Sequence, residues 1–206
     1  MISEIKKFKR KDLFNHYNQR TNPFVIVTTK IDVTGVVNYC KEHKNFYATM
    51  GFIINKTVNQ IDAFKYRYKD EKFYYCEKVK TGFTQMINED EIGFFTVPVI
   101  NDLKDYITEF LKIQKEFLST GKRNIESDID EIWVSCAPWF SFSSLIPPFD
   151  KEITIPQFIW DKYEYVDEKY FVNLMVMVHH GFADGYHIGK FVNLLQENIN
   201  QHFGGK

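Results

Sequence analysis

The chain has 206 residues, 44% of them hydrophobic, enough to bury the core of one domain spanning 1–206 without disulfides or metals. Its 26 lysines and arginines against 27 acidic residues leave no global field to steer it toward nucleic acid or an anionic membrane. Cys40, Cys76 and Cys136 are odd in number and widely spaced, which argues against a disulfide framework or a C-x-x-C metal site and fits a reducing compartment.

The N-terminus has no apolar core of signal-peptide length, and the apolar run Phe171 to Val178 is too short to span a bilayer, so a soluble cytoplasmic protein is expected. Lys6 to Lys11 reads as a solvated basic face. Pro23 to Ile31 is rich in β-branched residues and reads as a strand, with Asp32 placed to cap a short helix through Val36, Val37 and Tyr39. Phe46 to Gln60 carries Phe46, Met50, Ile53, Ile54 and Val58 near helical spacing, a helix with one broad buried face. Phe64 to Tyr68 and Phe73 to Cys76, joined by a charged turn, read as a hairpin, with further strands at Gly82 to Ile87 and Phe94 to Val99.

Asn101 to Ser119 gives the clearest helix, with Leu103, Tyr106, Ile107, Phe110, Leu111, Phe117 and Leu118 at intervals of three, four and seven. Asn101 is its expected cap and Gly121 its stop. Strands follow at Glu131 to Cys136, Ile153 to Asp161 and Tyr170 to Val178. A last helix, His187 to Asn200, buries Ile188, Phe191, Leu194, Leu195 and Ile199. This mixture without regular βαβ spacing suggests an α/β fold of two layers (an α+β sandwich), a mixed sheet with helices packed on it.

Most of the chemistry lies in His179-His180-Gly181-Phe182-Ala183-Asp184-Gly185-Tyr186-His187. Adjacent histidines in a strand point to opposite faces, so one of the two is a candidate base for a given pocket. Asp184 either orients His180 or organises the turn. The pair also fits a buried structural role capping the last helix, whereas a metal role lacks both the i, i+4 geometry of H-E-x-x-H and a nearby cysteine.

The same nine residues resemble the H-H-x-x-x-D-G-[FY]-H signature of the chloramphenicol acetyltransferases. Ser135 to Phe142 is similar to that family's S-A-x-P-W-x-x-F segment, Phe46-Tyr47 to its F-Y, Arg10 to Phe14 to its R-[KR]-E-H-F, and Phe191 to Glu197 to its closing helix. The resemblance implies a trimeric chloramphenicol acetyltransferase-like fold, with sites between neighbouring subunits. There acetyl passes from acetyl-CoA, a co-substrate and not a bound cofactor, to an alcohol, with chloramphenicol the first choice. His180 would be the general base, suited to it because an ordinary imidazole, pKa ~6.5, is mostly neutral at pH 7. Ser135 would donate to the oxyanion. Asp184 would pair with Arg10 to hold the loop through bidentate geometry, leaving His179 a structural neighbour. Tyr17, Trp139, Phe142 and Ile159 would lie on the acceptor side, and Tyr47, Lys162, Tyr163 and Lys44 along the CoA path.

The match departs from the family in the pocket. Ile159 stands where a threonine usually holds a water, which predicts slower transfer. Asn45 replaces a common lysine beside Phe46, and Gly93-Phe94-Phe95 replaces T-F-S-[AS]. His16, Thr21, Pro23 and Val25 stand where the family presents mainly aromatic and apolar residues. These changes leave two alternatives open, another small hydroxylated acceptor or a weakly active ligand-binding relative.

Overall fold

A computed structural model describes residues 1–43, 45–125 and 128–204. In chain order come β1 (Ile2–Glu4), α1 (Lys11–Asn18), β2 (Phe24–Asp32), α2 (Thr34–His43) and α3 (Phe46–Val58). A 3-10 turn at Asp62–Phe64 leads to β3 (Tyr66–Lys69), β4 (Lys72–Cys76), β5 (Lys80–Met86), β6 (Ile92–Val97) and α4 (Leu103–Thr120). Then follow β7 (Glu131–Ala137), β8 (Gln157–Asp161), β9 (Glu164–Val166), β10 (Lys169–His179) and α5 (Gly185–Phe203). None of the described helices is long and apolar enough to cross a membrane.

The main sheet runs β2-β10-β8-β7-β5-β6, with β9 beside β10, and a small sheet runs β1-β4-β3. Strand β7 is parallel to both β5 and β8 while the other pairs are antiparallel, which makes the sheet mixed as expected. Alternation along the strands gives the sheet two unlike faces. Val134, Phe158, Leu174 and Val176 enter the large core with Ile53 and Phe110 from the helices. The intervening residues Ser135, Ile159, Met175 and Thr28 pair across β7, β8, β10 and β2, so they share the opposite face. Chain segments cover that face only in part, where Phe142 and Leu145 pack with Phe24, Met175 and Met177.

Helix α3 is buried on nearly every side, not along one face, because it lies between α2, α4, α5 and the sheet. Its polar residues are satisfied there: Thr49 and Thr57 donate to the carbonyls of Asn45 and Ile53, and Asn55 to that of Val79. Asn101 does not cap α4. Asp102 accepts the Asp105 amide at 3.0 Å instead, while Gly121, at φ 60°, ends the helix as expected. The buried stripe of α4 is narrower than its periodicity suggests, since Leu111 and Leu118 are exposed.

Most element ends shift by one or two residues, β5 and β6 each starting two residues early, and three shifts bear on the local chemistry. Phe64 belongs to the 3-10 turn, β8 starts only after Pro156, which has no N–H for the ladder, and α5 begins two residues before His187. The short strands β1 and β9 carry no apolar alternation and are exposed along their length, so pattern reading misses them.

Candidate active site

Strand β10 ends at His179, so strand alternation does not place His180; both rings are instead met by α1. The His179 ring stacks on Phe14 at 4.5 Å and the His180 ring on Tyr17 at 4.0 Å and 11°. Phe14 and Tyr17 are three residues apart and thus neighbours on the helix surface. Phe14 also packs with Phe8, Phe73 and Phe182 in an aromatic cluster beneath the turn. Gly181 permits this approach: a Cβ there would lie 2.5 Å from the Phe14 Cα.

The two histidines differ chemically. His179 is buried and its Nδ1 accepts the Gly181 amide at 3.1 Å, which leaves the proton of a neutral ring on Nε2. Burial, with the adjacent His180, pushes its pKa down to about 4. It is therefore a neutral packing residue at physiological pH. The His180 amide donates to the Pro23 carbonyl at 2.8 Å, and its Nδ1 is buried without a partner among the described residues. Nε2 is the ring nitrogen left accessible.

Asp184 organises the turn. Its Oδ1 accepts the Tyr186 amide at 3.1 Å as the N-cap of α5 and lies 2.8 Å from His187 Nδ1. Arg10 donates from Nη1 and Nη2 to Oδ2, at 3.2 and 3.1 Å, and from Nε to the Gly181 carbonyl at 3.2 Å. The pair is thus not the expected two-oxygen fork, because Oδ1 is committed to the helix cap. Burial disfavours the charged carboxylate, but hydrogen bonds from His187 and Arg10 outweigh it and hold Asp184 below the usual range.

Ser135 is half-buried near the middle of β7, opposite Ile159 and in the row of Met175. His180 lies five residues beyond Met175, two strands away. At ~3.3 Å per residue and ~4.8 Å per strand the two residues are ~19 Å apart within one chain. The chain does not bring its candidate base and candidate oxyanion donor together. Ile159, beside Ser135, supplies no hydroxyl.

The remaining candidates fall in two groups. Phe142 packs with Ile159 on the open sheet face, whereas Trp139 is 66% and Phe140 54% exposed, leaving apolar surface uncovered. Lys162 and Tyr163 lie in the β8–β9 turn, and the Tyr163 ring meets Phe46 at the start of α3 at 5.4 Å. The Tyr47 hydroxyl donates to the Thr84 and Val134 carbonyls at 2.7 and 3.3 Å, so it ties β5 to β7 and offers no polar group to a ligand. Lys44 lies outside the described residues. Sequence reading missed Asp161, a buried carboxylate that accepts the Phe142 amide at 3.1 Å and the Asn173 amide and side chain at 2.7 Å each. It fixes the loop after β7. The available signal was an acid closing the apolar run Phe158-Ile159-Trp160.

Among the described residues no group of three or more His, Cys, Asp or Glu side chains is arranged to hold a metal. The chloramphenicol acetyltransferase family model matches residues 1–196. A chloramphenicol acetyltransferase of Staphylococcus aureus is 29% identical over 202 residues, covering 94% of this chain and 93% of that protein. Chloramphenicol acetyltransferase 3 of Escherichia coli is 26% identical over 204 residues, covering 96% and 95%. A solved chloramphenicol acetyltransferase superposes with a TM-score of 0.82 at 20% identity, over 97% of this chain and all of that one. A probable dihydrolipoamide acetyltransferase from Listeria monocytogenes superposes at 0.71 and 14% identity, over 97% and 94%, so the fold extends beyond one acceptor chemistry. With nearly its whole length matched by one family model, the chain is an acetyltransferase belonging to the chloramphenicol acetyltransferase family.

Proposed function

We propose that the chain transfers acetyl from acetyl-CoA to a hydroxyl of chloramphenicol, at sites shared between neighbouring copies in a cytoplasmic homotrimer. Nε2 of His180 takes the hydroxyl proton as that oxygen attacks the thioester carbonyl. Ser135 of the adjoining copy donates to the oxyanion, and collapse expels CoA as thiolate, which takes up the proton held by His180. Acetyl-CoA is a substrate here. Tyr17 holds the base, Phe142, Trp139 and Ile159 line the acceptor side, and Lys162 with Tyr163 face the CoA.

The observation that carries this reading is the presentation of His180, with its ring stacked on Tyr17, its turn held by Arg10 and Asp184, and its Nε2 left accessible. The ~19 Å separation from Ser135 supports a shared site, because proton transfer needs hydrogen-bond contact. Exposed Trp139 and Phe140, next to Ser135 in sequence, supply apolar surface for the neighbour. Three unpaired cysteines are consistent with a reducing cytosol. Thiol release from acetyl-CoA in the presence of chloramphenicol is the test. His180→Ala should reduce it ~10²–10⁴-fold, and activity unchanged in that variant refutes the mechanism.

A further inference from the structure

A cleft of about 680 Å³ opens beside the histidine turn, between the N-terminal segment Ile5 to Arg10, the 3-10 turn after α3 and the first turns of α5. A concavity of this size suits a small ligand. Phe8 and Phe182, from the aromatic cluster beneath the turn, form part of its wall.

The cleft is rich in donors. Lys7, Lys9 and Lys190 line it and are exposed, and among the described residues none of their ammonium groups has an ion-pair or hydrogen-bond partner. Arg10 is the fourth cation. A guanidinium carries five N–H donors, and three of those of Arg10 point at Asp184 and the Gly181 carbonyl, so two remain for a ligand without breaking that pairing. Among the described residues that line the cleft, Asp62 is the one carboxylate, and its Oδ1 already accepts the Tyr75 hydroxyl at 2.7 Å and lies 3.0 Å from Lys65 Nζ. Four cations therefore face a single acid whose charge is compensated from elsewhere.

Tyr186, at the start of α5, is 77% exposed, so a flat ring can stack on it. The proposed CoA path lies at the other end of the sheet. Lys162 comes two residues after Trp160, which pairs with Leu174, so ~23 Å of β10 separates its level from His179.

We infer that the cleft binds a polyphosphate anion, either an inorganic chain or the phosphate tail of a nucleotide. Lys7, Lys9 and Lys190 neutralise successive phosphate groups, and Arg10 donates its two remaining N–H groups. Through Arg10 the bound anion reaches the turn that presents His180, while Asp184 keeps its partner.

Calorimetric titration of the native protein with sodium tripolyphosphate, and separately with ATP, tests the site at about 0.15 M ionic strength, with saturating CoA present to occupy the proposed CoA path. Binding with a Kd below about 1 mM is expected. Lys7→Gln combined with Lys190→Gln should weaken it about tenfold or more, whereas Lys115→Gln combined with Lys122→Gln, which removes the same charge from α4 and the loop after it, should change it less than about twofold. Tighter binding of ATP, with the advantage lost in Tyr186→Ala, supports the site and makes the ligand a nucleotide; equal affinities support it with the inorganic chain. No binding of either probe, binding that CoA abolishes, or equal losses in the two double variants overturns the inference.

Discussion

Mixing two inactive variants tests the shared site. His180→Ala removes the proposed base, a loss of ~10²–10⁴ in rate, and Ser135→Ala the proposed oxyanion donor, ~10²–10³. Each parent therefore retains at most about 1% of native activity. The ~19 Å between the two residues within one chain is several times the ~3 Å that proton transfer spans, so a working site needs His180 from one copy and Ser135 from the next. In a ring of three assembled at random from equal amounts, a site works where a subunit retaining His180 faces one retaining Ser135. About a quarter of sites satisfy this. Refolding an equimolar mixture, or co-expressing the two with different tags, should thus restore ~25% of native thiol release from acetyl-CoA, some 25 times the background. Mixed assemblies that remain at the average of their parents would place base and donor in the same chain and refute the shared site.

Asp184→Ala should destabilise by about 1–2 kcal/mol through loss of the α5 cap, with Asp184→Asn costing less because its side-chain oxygen still accepts the Tyr186 amide; urea unfolding checks both. The native Asp184 pKa lies below 3.8, so its charge contributes stability above that value and loses it as pH falls through the lower folded pKa. The difference between native and Asp184→Asn proteins should accordingly shrink below about pH 4, and a difference that grows on acidification contradicts the pairing. Arg67 is fully buried, its pKa pushed down by burial to about 10, and it donates to the carbonyls of Phe64, Tyr66, Ile129 and Glu131. Arg67→Leu should therefore cost about 3–5 kcal/mol in urea unfolding. Ile159→Thr places a hydroxyl beside Ser135 and should raise kcat several-fold in steady-state acetyl transfer, with an unchanged kcat showing that the missing hydroxyl does not limit the rate.

Legibility in the sequence followed the range of the interactions. Helix α4 could be read from periodicity because its packing repeats every turn, and the strand and helix flanking the histidine turn were bounded by their own apolar patterns. Arg10 and Asp184, 174 residues apart, met as the family resemblance implied, but composition and spacing alone could not have paired them. Asp161 escaped notice for the same reason: its partners at Phe142 and Asn173 come from a loop and a neighbouring strand. The all-round burial of α3 depends on which elements surround it, so its sequence suggested only one face.

A doubled histidine presents a chemical difficulty, since two imidazoles side by side would compete for one proton and repel each other when charged. The fold removes the competition by giving the two rings different surroundings. His179 is enclosed among Phe14, Phe24 and Phe182, and its Nδ1 is occupied by the Gly181 amide. With a pKa near 4 it stays neutral through the range in which an ordinary imidazole titrates. His180 lies one residue past the strand end, where the chain has turned and Tyr17 covers one ring face while Nε2 stays accessible. Replacing His179 by another residue therefore acts through packing and backbone position, whereas replacing His180 removes the proposed base. Exchanging the buried His179 for a similarly sized side chain should lower stability more than it lowers kcat, and the converse should hold at His180.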